Sequence, residues 1–133
     1  MRRTLHVCLM AMVVELFLAK AAASPVVGTW EGMRAGVKAA TITVRETEGI
    51  LGGSAIFYII HDNASGGLDA APTPAMGMVG TQWDGKVLRF SVNNGGGKTI
   101  AFELRVTGEG KGELRRPVQD GEPEIRVPMV RAR

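Results

Sequence analysis

Residues that could do covalent chemistry are scattered along this chain and do not group into a catalytic motif. The most suggestive run is Gly95-Gly96-Gly97-Lys98-Thr99, which contains the glycines, lysine and threonine of a phosphate-binding loop. Such a loop needs another glycine five residues before Gly97, where this chain has Val92, and it must open a helix. The residues from Thr99 onward alternate as a strand instead, so we interpret the run as a hairpin turn.

Oxygen and nitrogen ligands are present but lack the spacing of a metal site. His61, Asp62, Asp69 and Asp84 do not form a ligand pattern, and His61 stands at the end of a predicted strand. No serine or threonine is paired with a base in the pattern. We therefore expect no catalytic residues, no metal, no cofactor and no enzymatic activity.

The first 23 residues have the composition of an export signal. Arg2 and Arg3 precede a mostly apolar stretch, residues 5–19, and Ala21-Ala22-Ala23 supplies the small residues of a cleavage site. We expect cleavage before Ser24, which leaves residues 24–133 as a single domain. The alternative is a retained membrane anchor, but the stretch is shorter than the roughly 20 residues that span a bilayer and contains a carboxylate.

Removal of this leader changes the charge and cysteine content of the chain. Three of the 16 basic residues and one of the 13 acidic residues lie in it, so the mature chain has a net charge of only +1. This charge gives no reason to expect nucleic-acid binding. The only cysteine, Cys8, is also removed, so the mature protein has no disulfide. We expect a secreted or periplasmic bacterial protein with no membrane span after cleavage.

The mature chain has the pattern of an antiparallel β meander. Residues 87–93 and 99–107 alternate apolar and polar side chains with period two. The remaining predicted strands are residues 26–32, 38–45, 51–61, 76–83, 112–116 and 124–131. About eight strands joined by short turns predict an all-β fold that closes into a small barrel, with a flattened sandwich as the alternative. One long connection, residues 61–75, is predicted to be a loop that covers one end of the barrel.

Gly28-Thr29-Trp30 opens the first predicted strand and resembles the Gly-x-Trp motif of the calycin barrels, which include lipocalins and avidin-like proteins. The resemblance implies structural roles for Gly28 and Trp30. The tryptophan would close one end of the barrel, with a basic residue of the last strand across its ring: Arg131, or failing that Arg126. Residues 49–53 and 84–90 are also similar to short exported bacterial proteins of unknown function. No polar residues match those that hold biotin in avidins, so no ligand follows from the resemblance.

The strand over residues 54–61 is apolar on both faces, so something must cover its second face. Self-association through Ala55 to Ile60 is one possibility, and cover by the following loop is another. A pocket at the end opposite Trp30 would be lined by Ile56, Tyr58, Phe90 and Phe102. The alternative inward set of the same strand is Ala55, Phe57 and Ile59.

Two classes of function remain open. The first is a non-enzymatic barrel that binds a small apolar or amphipathic ligand, which rests on architecture and resemblance. The second is a structural or protein-binding module, such as an inhibitor or an envelope-associated partner, with no small-molecule ligand.

Overall fold

The computed structural model describes residues 24–133, which fold entirely into β-strands and turns. The expected export signal and Cys8 lie outside the described residues. Within residues 24–133 there is no helix with the length and apolar character needed to cross a membrane.

Nine strands follow one another along the chain, joined for the most part by tight turns. They are β1 (Gly28–Arg34), β2 (Val37–Thr47), β3 (Ile50–Asp62), β4 (Leu68–Pro72), β5 (Met76–Trp83), β6 (Val87–Asn93), β7 (Thr99–Gly108), β8 (Lys111–Arg116) and β9 (Ile125–Arg131). The eight predicted strands are all present, with ends displaced by at most a few residues. The ninth, β4, lies where we expected a loop.

Eight of the strands close into an antiparallel barrel. The sheet runs β2-β1-β9-β8-β7-β6-β5-β3, and an additional pairing between β2 and β3 joins its two ends. Successive barrel strands are neighbours, as in an up-and-down meander, and β1 meets β9 where Trp30 pairs with Arg131. The predicted fold class is confirmed, and the flattened sandwich is not what forms.

The long connection between β3 and β5 is a hairpin extension and not a loop. Residues 58–62 of β3 pair with β4, from Tyr58 opposite Pro72 to Asp62 opposite Leu68. Its turn is held by Asn63, whose Oδ1 accepts hydrogen bonds from the backbone N–H groups of Ser65 (3.0 Å) and Gly67 (2.9 Å). We call residues 58–72 the arm. Its second strand, β4, was not predicted from the sequence. It is held by backbone pairing and an Asx turn, and these leave no pattern of alternating buried apolar side chains.

Inward side chains from every barrel strand contribute to the core. Inward and outward side chains alternate, so the buried positions follow the period of two. The largest fully buried side chains are Trp30, Ile42, Leu88, Leu104, Met129, Val26, Val44 and Val92.

The outer face of β6 to β9 is charged, and its acidic and basic side chains form a continuous series of ion pairs across the strands. Arg89 contacts Asp84 at 3.1 Å and Glu103 at 3.6 Å. Glu103 contacts Arg115 at 3.1 Å, and Arg115 also pairs with Glu124. Opposite charges on neighbouring strands favour this register, although exposed pairs of this kind contribute little individually. Exposure to solvent and these ion pairs account for the charged side chains, so we infer no binding site on this face.

Candidate ligand-binding site

The two ends of the barrel differ in how they are filled. Antiparallel pairing brings the first residues of β1 and the last residues of β9 to one end, which we call the closed end. The last residues of β1 and β8 and the first residues of β7 and β9 lie at the other, which we call the open end.

The closed end is built on Trp30, whose side chain is fully buried. Its Nε1 donates a hydrogen bond of 2.8 Å to the carbonyl oxygen of Val26, so the buried indole N–H is satisfied. The guanidinium of Arg131 lies 5.7 Å from the centre of the ring and donates to the carbonyl oxygen of Pro25 at 2.8 Å. The predicted contact between Trp30 and Arg131 is present, and it ties the last strand to the segment before the first.

The position two residues before Trp30 requires a glycine, Gly28, for two reasons. Its φ of +135° disfavours any residue with a side chain. A Cβ built on it would also lie 2.9 Å from Cδ of Arg131. The absence of a side chain therefore lets Arg131 cross β1 to reach the tryptophan. The second candidate, Arg126, lies instead on the outer face, where it pairs with Glu124 at 2.8 Å and Glu113 at 3.1 Å.

The open end contains an apolar cavity of about 350 Å³. Small side chains of β2 and larger ones of the other strands surround it. Its lining consists of Arg34, Ala39, Ala40, Phe57, Tyr58, Ile60, Met76, Ile100, Phe102, Leu114, Arg116, Ile125 and Val127. Because Arg34 is exposed to solvent and also lines the cavity, the cavity reaches the surface there.

Stacked phenylalanines form one side of this cavity. The rings of Phe57 and Phe102 stack with centroids 4.7 Å apart, and Phe90 lies behind Phe102 at 5.7 Å. Offset stacking of this kind stabilises the wall beyond the area that the rings bury. The wall of the cavity is therefore held by contacts between its own side chains.

Only two of the four residues that we expected in a pocket line the cavity. Phe102 and Tyr58 do, whereas Phe90 is buried behind Phe102 and Ile56 lies opposite Thr41 on the outward face.

The inward side chains of β3 are Ala55, which is fully buried, and Phe57. The pairing register with β2 sets this face: Ala55 lies opposite the buried Ile42, and Phe57 opposite the buried Ala40. In a strand that is apolar on both faces, the sequence alone does not specify this register. Ile59 continues the parity of Ala55 and Phe57, but it lies on the arm beyond β2 and is 63% exposed.

Tyr58 reaches the cavity from the arm. Its hydroxyl lies 3.3 Å from Oγ1 of Thr41 and is in hydrogen-bonding contact with it. Ile60, two residues further along β3, also lines the cavity. The arm thus stands beside the opening, in the region where we expected a covering loop.

Two charged residues of the lining, Arg34 and Arg116, were not expected from the sequence. Arg116 is held by two contacts, one from Nη1 to a carboxylate oxygen of Glu122 and one from Nη2 to the carbonyl oxygen of Pro123, both at 3.1 Å. Its Nε is buried and has no hydrogen-bond partner. The period of two could have found both, since Arg34 and Arg116 continue the inward positions Gly32 and Leu114.

Comparison of the chain with protein-family models, with curated proteins and with solved structures found no match. Within residues 24–133 no three histidine, cysteine, aspartate or glutamate side chains are grouped as metal ligands. We therefore infer function from the geometry of the open end.

Proposed function

We propose that this protein is an exported, non-enzymatic barrel of the calycin type that binds a small apolar or amphipathic ligand at its open end. The observation that supports this is the apolar cavity of about 350 Å³. Ligand pockets in proteins have volumes of roughly 300–1,000 Å³ and are lined mostly by apolar and aromatic side chains.

An empty apolar cavity lowers the stability of a protein, because its lining atoms lose packing partners. Ala39 and Ala40 stand at the wall, where larger apolar residues would occupy the space. A ligand that occupies the space would offset this loss of stability. The closed end, where Trp30 fills the interior, is the contrasting case within the same barrel.

The calycin type is supported by the local geometry of Gly28, Trp30 and Arg131. The glycine admits the arginine side chain, and the arginine lies over the buried indole. This is the arrangement that the Gly-x-Trp resemblance implies. Binding would depend mainly on buried apolar area: about 250 Å² gains roughly 6 kcal/mol before the costs of association. We therefore expect broad selectivity and dissociation constants in the micromolar range or weaker.

The test is titration of the protein with an environment-sensitive apolar dye. The full chain is expressed, and the protein is purified after any processing by the host cell. Ala40→Leu adds three carbon atoms inside the cavity, and Ala101→Leu adds the same atoms on the exposed outer face of β7 as the matched control. We expect saturable binding that Ala40→Leu abolishes and Ala101→Leu retains. Absence of saturable binding to the folded protein would favour the structural or protein-binding module.

Export is tested separately by N-terminal sequencing of the protein recovered from its own host. We expect a start at Ser24 and recovery outside the cytoplasm. A start at Met1 in the membrane fraction would contradict export and favour the retained anchor. Native mass spectrometry of the same material would reveal a co-purified ligand and any self-association through β3.

A further inference from the structure

We propose that the ligand is a small amphipathic acid whose anionic head lies at the mouth of the cavity between Arg34 and Arg116. This rests on the proposed function and names the ligand class. At about 30 Å³ for a group the size of a water molecule, a cavity of about 350 Å³ holds roughly twelve non-hydrogen atoms. The ligand would therefore have a short apolar tail inside the barrel and an anionic head at its opening.

Strand periodicity places both arginines on the inward face. On β1 the inward positions are Trp30 and Gly32, which are buried, and Arg34 is the next position of the same parity. On β8 the buried Gly112 and Leu114 precede Arg116 in the same way. Both strands end at these arginines, so each side chain starts from the inner wall at the rim.

The topology brings the two arginines to the same side of the mouth. β9 lies between β1 and β8 and pairs with both, and Ile125 at the start of β9 is opposite Arg116. Neighbouring strands are about 4.8 Å apart, so the backbones of β1 and β8 are separated by roughly 10 Å. Two arginine side chains that both line one cavity can approach a single anion from these positions.

Within residues 24–133, Arg34 has no carboxylate partner and Arg116 retains one donor, Nε, without a hydrogen-bond partner. Arg116 has two of its nitrogens engaged by Glu122 and Pro123, which fixes the guanidinium, while its buried Nε has no partner. Within residues 24–133 no carboxylate lies within 4.0 Å of Arg34, and no acidic side chain lines the cavity. A buried donor without an acceptor is costly, and an anionic head would satisfy it with a charge-assisted hydrogen bond.

The inference predicts a preference for anions over neutral molecules of the same length. Calorimetric titrations at pH 7 and low salt would compare decanoate, decyl phosphate and 1-decanol. We expect both anions to bind at least tenfold more tightly than the alcohol. The ratio between the two anions identifies whether a carboxylate or a phosphate fits the mouth better.

Substitutions then assign the preference to the mouth. Arg34→Gln removes a charge from an exposed residue and should leave the fold intact, and Arg116→Gln removes the second charge. Arg105→Gln, on the exposed outer face of β7, is the matched control. We expect Arg34→Gln to reduce the anion-to-alcohol ratio several-fold, Arg116→Gln to do the same in protein that retains its circular dichroism spectrum, and Arg105→Gln to leave the ratio unchanged.

The outcomes separate this inference from the proposed function. Equal affinity for decanoate and decanol, or a ratio that survives Arg34→Gln, would overturn the anionic head while leaving the apolar site intact. Failure of the dye and of all three ten-carbon compounds to bind would overturn the proposed function itself.

Discussion

Arginine side chains lie at the rim of both ends of this barrel, but in different surroundings. At the closed end Arg131 lies over Trp30, and its guanidinium is satisfied by an aromatic face and a backbone carbonyl. At the open end Arg34 and Arg116 also continue inward positions, but the space beneath them is a cavity. The arginine at the rim is thus structural where an aromatic ring fills the interior, and we propose that the two at the open end contact a ligand.

Small residues lie beside a large buried side chain at the closed end and beside a cavity at the open end. At the closed end a Cβ on Gly112 would lie 2.7 Å from the carbonyl oxygen of Arg105 and 3.2 Å from Cζ3 of Trp30, so this glycine allows both the neighbouring strand and the indole to approach. At the open end Ala39 and Ala40 are small, yet no side chain takes up the room that they leave. The closed end is thus the one that contains the fully buried Trp30.

The largest expected effect is the loss of the closed end itself. Trp30→Ala should lower the free energy of unfolding by roughly 3–5 kcal/mol, because it removes a fully buried ring and leaves a cavity. Phe57→Ala at the open end should cost less, about 1–2 kcal/mol, because that ring is only half-buried. Denaturant melts measure both. Equal losses would mean that the ends do not differ in packing.

The second effect compares the addition of the same atoms to two buried alanines. Ala40 and Ala55 are both at most 1% exposed and lie on neighbouring strands, but only Ala40 lines the cavity. Ala55→Leu should overpack the core and cost about 1–3 kcal/mol, whereas Ala40→Leu should cost less than about 1 kcal/mol. Thermal or denaturant unfolding of the two variants checks this. A larger loss for Ala40→Leu would show that the cavity does not accept a side chain.

The third effect concerns the arginines. Arg131→Ala should lower stability by about 0.5–2 kcal/mol, the size of a cation–π contact with the indole. Arg34→Ala should change stability by less than about 0.5 kcal/mol, as for other exposed substitutions. The same denaturant melts apply. Equal stability losses for the two variants would contradict separate structural and ligand-binding roles.

The smallest effect is a pH dependence at the closed end. The backbone N–H groups of Val87 and Lys86, then Arg89, hold the pKa of Asp84 at about 2, below its ordinary 3.8. A lowered folded-state pKa stabilises the protein above pH 3.8, and this contribution is lost as the pH falls towards 2. Asp84→Asn should lack this component of acid destabilisation. Identical stability profiles between pH 5 and pH 2 for both proteins would contradict it.

How much could be predicted depended on whether a segment buries one face or two. Leu88, Phe90 and Val92 alternate with polar residues, so the inward face of β6 could be predicted from the sequence. Residues 55–60 of β3 are apolar on both faces, and there the sequence left two inward sets open, one with Ile56 and one with Ala55 and Phe57. Its pairing with β2 selects the face, and that pairing is a long-range contact that local periodicity does not contain.

The sequence by itself determined the class of fold and the anchor of the closed end. Period-two patterns, closely spaced turns and the Gly-x-Trp run are local, and each acts within a few residues. Only the tertiary structure decided that residues 68–72 form a strand, that the open end keeps a cavity, and that Arg34 and Arg116 share its rim. These features depend on which strands become neighbours when the barrel closes, and residues more than 80 positions apart meet only then.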